Sequence, residues 1–65
     1  MKLTIETEEG IEMIVSDVVG YIVEQVTFFP SYSSNSFDHK MLITFEHKDG
    51  NFYKFHIKKV KCREE

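Results

Sequence analysis

Residues 2–7 alternate, with Leu3 and Ile5 on one side of an extended chain and Lys2, Thr4 and Glu6 on the other. Such a period of two marks a half-buried strand. Beyond Thr7-Glu8-Glu9-Gly10 the inward face resumes with Ile11, Met13 and Val15. Glu12 and Ser16 face water there, and Ile14 is an apolar exception on the outer side. The same layout recurs around His47-Lys48-Asp49-Gly50. Each acid-Gly turn predicts a type I turn followed by a left-handed glycine, the three-residue hairpin loop with a G1 bulge. That geometry places Ile5 opposite Met13 and Leu3 opposite Val15. It places Phe45 opposite Tyr53, Ile43 opposite Phe55 and Met41 opposite Ile57. A slip of one residue would bring Lys54 and His56 onto the apolar face, so the register is strongly specified.

Residues 16–29 satisfy two templates. Ser16-Asp17 resembles a helix cap, and Val18, Val19, Ile22, Val23 and Val26 share a helical face. Against this, Tyr21–Phe29 is rich in β-branched and aromatic residues, and Gly20 interrupts a helix. The preferred assignment is a turn at 16–20 and a strand at 21–29, with a bulge near Glu24-Gln25 to reset its faces. Pro30 ends that element, and the Ser-rich stretch to Asp38 reads as a connection. Strands at 39–47 and 51–60 follow, and Lys58-Lys59 break the period so that Val60 and Cys62 change face. A bulge or the end of the sheet would account for this. The expected fold is all-β, a small antiparallel five-stranded SH3-like barrel or curled sheet over a single domain, residues 1–65. The alternative is an α+β arrangement, ββαββ, with a short helix at about 16–26.

Composition supports strands: six Ile, six Val and six Phe stand against two Leu and no Ala, the reverse of a helical preference. A chain this short buries only ~60% of its unfolded surface, so its own core leaves it marginal. The single cysteine, Cys62, rules out an internal disulfide. No segment approaches the ~18 apolar residues of a membrane helix, and Met1-Lys2-Leu3-Thr4 lacks the apolar run of a secretory signal. A free thiol suits a reducing compartment, so a cytoplasmic protein without membrane contact is expected.

Catalytic and metal chemistry find little footing. His39 and His47 lie ~26 Å apart on one strand at ~3.3 Å per residue, and His56 faces the other way from His39, so the three histidines cannot share an ion. Cys62 has basic neighbours, Lys61 and Arg63, but no base or oxyanion donor near it in sequence. There is no phosphate-binding glycine loop and no nucleophile elbow. No catalytic residue, metal or cofactor is assigned, and the chain is not expected to be an enzyme.

Charge is divided along the chain. Residues 1–37 hold six carboxylates and one lysine, and residues 38–63 hold seven basic side chains and three acids. Either the two halves neutralise each other in the fold or they present a two-signed surface. Lys40, Lys54, His56 and Lys58 on the outer face of the second hairpin, interleaved with Phe52, suit single-stranded nucleic acid. The acidic total, −3, disfavours that function. Positive support favours a protein partner. Ile14, Phe29, Leu42 and Phe52 point away from the inferred core, and Tyr32 and Phe37 flank the serine stretch. Aromatic residues are typical interface anchors, and a homodimer is the commonest way to bury them. The expected function is therefore a non-catalytic protein-interaction module that self-associates.

Short, acidic, alanine-free domains of this kind are similar in size and character to accessory proteins of phages and prophages, some of which inhibit host defence enzymes. That similarity implies an alternative, inhibition of a nucleic-acid-binding enzyme. The acidic face Glu6, Glu8, Glu9, Glu12 and Asp17 would then mimic phosphate.

Overall fold

The computed structural model describes residues 1–28 and 38–65. Its strands are β1 (Lys2–Glu6), β2 (Glu12–Val15), β3 (Val18–Phe28), β4 (Asp38–His47), β5 (Phe52–Ile57) and β6 (Lys59–Glu64). They form two antiparallel sheets, ordered β2-β1-β6 and β3-β4-β5. Among the described residues no helix is long and apolar enough to cross a membrane. The Ser-rich connection, Phe29, Tyr32 and Phe37 lie outside the described residues.

Both hairpins adopt the register dictated by their turns. Ile5 faces Met13 and Leu3 faces Val15; Phe45 faces Tyr53, Ile43 faces Phe55 and Met41 faces Ile57. Gly10 and Gly50 sit at φ 84° and 87°. Their N–H groups donate to Thr7 O and His47 O, each at 2.9 Å. At Asp49 the second turn carries an extra latch. The carboxylate accepts from Asn51 N at 2.8 Å and from the Tyr53 hydroxyl at 3.0 Å. The Asn51 N–H, above all, holds Asp49 below the usual carboxylate range, and the hydrogen bond to Asp49 raises the Tyr53 phenol.

Among the described residues the strands number six because two chain segments change sheets. β2 runs into β3 through a corner at Asp17, whose φ of 60° is left-handed, a region that Asp tolerates better than most residues. The Met1 ammonium donates to Val18 O at 2.7 Å, Val18 N donates to Met1 O at 2.9 Å, and Lys48 N donates to Asp17 O at 3.0 Å. The corner is thus tied to both sheets. At the other end, β5 leaves its sheet at Ile57, Lys58 N donates to Glu6 O at 2.9 Å, and β6 takes up pairing beside β1 from Lys59 onward. The strand expected at 51–60 is therefore divided at Lys58, where the sequence period breaks.

Three further expectations are corrected. β3 begins at Val18, not at residue 21, and its bulge lies between Val18 and Gly20 rather than near Glu24-Gln25. The helical alternative over 16–26 gives way to strand, since this segment pairs with β4 from Gly20 to Phe28 without interruption. Ile11, assigned inward, is 63% exposed. It lies beyond the last β1–β2 pair, Glu6 with Glu12, where no opposing sheet covers it.

One core joins the sheets. Leu3 and Ile5 of β1, Val18 of β3, Ile43 and Phe45 of β4 and Ile57 of β5 are buried together, with Val15, Tyr21, Val23, Met41, Phe55 and Val60 packed around them. Phe45 stacks on Tyr53 at 5.3 Å and meets Phe55 edge-on at 5.9 Å. Arg63 of β6 lies over the Tyr21 ring of β3, its guanidinium carbon 5.9 Å from the centroid.

Two measurements check this account. A Cβ at Gly50 would meet no atom within 4 Å, so Gly50→Ala carries a purely conformational penalty, expected at ~1 kcal/mol in urea unfolding. Gly20→Ala, also in open space and without a left-handed φ, should cost less. For the latch, the depressed Asp49 group contributes stability that is full above the ordinary carboxylate range and lost as pH falls through its lowered folded value. The thermal stability gap between the parent and Asp49→Ala should therefore be constant near neutrality and close in acid. The Tyr53 phenol should titrate closer to its ordinary value in the variant.

Candidate interaction surface

The packing of the two sheets and the pairing of β1 with β6 bring the acidic and basic halves of the chain together. Glu6 meets Lys58 at 3.3 Å, Glu12 meets Lys61 at 3.0 Å, Glu8 meets Lys40 at 3.8 Å and Asp17 meets Lys48 at 3.3 Å. Glu12 raises the Lys61 ammonium above its ordinary value, chiefly through their hydrogen bond. Glu6 and Glu12, cross-strand neighbours of like charge, each acquire a lysine, which relieves their repulsion. Of the five acidic-face residues, only Glu9 has no ion pair among the described residues. Exposed pairs of this kind contribute little stability, ~0–1 kcal/mol each, but they cancel charge locally. The acidic hairpin is thus a lysine-neutralised surface rather than a run of bare carboxylates.

The four residues suggested for nucleic acid divide in the same way. Lys54 and His56 stand on the outer face of β3-β4-β5, opposite Thr44 and Leu42. Lys40 and Lys58 lie at the end of that sheet, turned toward Glu8 and Glu6. There they line an open groove of about 300 Å³ with Glu8, His39, Met41 and Ile57. Among the described residues no cluster of His, Cys, Asp and Glu could hold a metal ion, and Cys62 is an exposed free thiol.

The apolar candidates also separate. Ile14, 60% exposed, is on the other sheet, opposite Thr4. Phe29 is outside the described residues. Leu42 is half-buried and Phe52 is 69% exposed, and both belong to the outer face of β3-β4-β5. Three rows cross that face: Gly20, Glu46 and Phe52; Ile22, Thr44 and Lys54; Glu24, Leu42 and His56. Ile22, 54% exposed, is thereby a member of the surface that sequence reasoning missed. Its face depends on where the β3 bulge falls, and the apolar run Tyr21-Ile22-Val23 does not reveal that. Gly20 leaves a shallow hollow of about 170 Å³, bordered by Ile22, Tyr21, Thr44, Glu46 and Phe52.

Because two of its four basic residues already face carboxylates, this surface should bind single strands poorly. Adding an oligonucleotide at low salt, where phosphate attraction is strongest, is expected to leave the Lys54, His56 and Phe52 amide resonances unmoved. Comparison with models of known protein families, with curated proteins and with solved structures gives no match.

Proposed function

We propose that this chain is a non-catalytic protein-interaction module that works by association, in the first place with a second copy of itself. One observation carries the proposal. The outer face of β3-β4-β5 exposes Ile22 and Phe52 around the Gly20 hollow, beside half-buried Leu42. The core beneath holds six buried side chains among the described residues. Removing such apolar surface from water is favourable by ~25 cal/mol per Å². Association then adds stability that a domain of this size lacks. The acid–base side chains support the same function, since most of the carboxylates are held in surface ion pairs.

Sedimentation at increasing concentration tests the proposal. The parent should form a species heavier than the 7.7 kDa chain. Ile22→Lys and Phe52→Lys should weaken assembly while keeping the strand circular dichroism, because both side chains point away from the core. A parent that stays monomeric at every concentration removes self-association. Variants that assemble and bind an identified partner like the parent remove this surface.

A further inference from the structure

Resting on that self-association, we infer that two copies join through the open edge of β3, running antiparallel across a two-fold axis to make one six-stranded sheet. Of the four sheet edges among the described residues, three carry devices that discourage strand addition. β2 is only four residues long. β5 presents Lys54 and His56, and β6 presents Lys59, Lys61 and Arg63. β3 has none of these. It runs eleven residues, VVGYIVEQVTF, with Glu24 as its single charge and no proline.

Hydrogen-bond parity identifies which groups face out. His47 N donates to Asn51 O and His47 O accepts from Gly50 N, so the odd residues of β4 bond toward β5. The even ones, Lys40 to Glu46, therefore bond toward β3, where they face Val26, Glu24, Ile22 and Gly20. In an antiparallel ladder the alternate residues turn their N–H and C=O groups the other way. For β3 these are Tyr21, Val23, Gln25 and Thr27. Val18 at the start of the strand is closed by Met1, and beyond it no strand among the described residues pairs with this edge.

Two features favour a second copy as the occupant. The β3–β4 ladder continues through Val26 with Lys40, Thr27 with His39 and Phe28 with Asp38, past the point where β5 ends opposite Met41. A two-stranded ribbon is marginal alone, and β3 of a partner would give it a third strand. The lone carboxylate also suits a two-fold pairing. Any antiparallel register not centred on Glu24 sets each carboxylate against a neutral residue, whereas parallel in-register pairing would stack Glu24 on Glu24.

Amide hydrogen exchange read residue by residue, at concentrations above and below assembly, tests the edge. In dilute protein the Ile22, Glu24 and Val26 amides should be protected and the Tyr21, Val23, Gln25 and Thr27 amides should not. In concentrated protein the Val23 and Gln25 amides, which registers centred on either of these residues both bring into the ladder, should slow by at least about tenfold, as amides in a formed ladder do. Gln25→Pro removes one outward donor without touching the bonds to β4, a position that edge strands accept. This variant should sediment as a monomer with β4–β5 amide protection intact. A heavier species in which the four outward amides stay fast would overturn the edge pairing and leave the interaction module standing on its Phe52 face. Protection of the four in a strictly monomeric protein would mean that the chain covers its own edge, which also overturns it. Monomeric protein with all four fast at every concentration overturns the edge pairing and self-association together.

Discussion

Leu3 and Ile5 on the inner face of β1 share one core with Ile43 and Phe45 on the inner face of β4, and the rest of the chain is arranged to bring these central strands together. β1 and β4 belong to different sheets, and each sheet covers the apolar face of the other. The corners at Asp17 and Lys58 allow this by letting a strand that flanks β1 become one that flanks β4. Their backbone bonds to Met1, Lys48 and Glu6 satisfy groups that a sharp bend would otherwise leave bare, as buried or half-buried backbone requires. The left-handed Asp17 is the local strain that this arrangement accepts.

Charge follows from the same topology. Since β6 returns to lie beside β1, lysines from the end of the chain fall next to glutamates from its beginning. The separation of acidic and basic halves, conspicuous along the sequence, largely disappears in space. What remains distinctive is a face that is apolar at Ile22 and Phe52 and an edge, along β3, that carries one charge in eleven residues.

Strand register was legible because two independent constraints coincide: glycine fixes the loop at Gly10 and Gly50, and the side-chain period of two then decides every pair. The break at Lys58-Lys59 was visible too, though only as a change of face, since a bulge and a change of sheet leave the same mark on one strand. The start of β3 was not legible. Val18 reads as a turn or helix residue from its neighbours, and its bonds with Met1, seventeen positions away, together with its pairing with His47 of β4, make it a buried strand residue. Ile11 misled for a similar reason, because alternation says which way a side chain points and not whether anything stands over it. For the candidate surface, Phe52 and Leu42 followed from the hairpin register, while Ile22 required the position of a bulge set by tertiary contacts.

The partnership of Lys2 with Glu64 has a consequence for how the chain acquires its shape. The β4–β5 hairpin closes over a loop of a few residues, but β1 and β6 meet only when nearly the whole chain has been gathered between them. Ring closure over that span carries the larger entropic penalty and slows non-local pairing. On a ribosome, β1 and β2 would emerge before β6 and wait for it, since β3, β4 and β5 lie between them. Until β6 emerges, the strand that supplies Leu3 and Ile5 to the core would have one of its two neighbours missing.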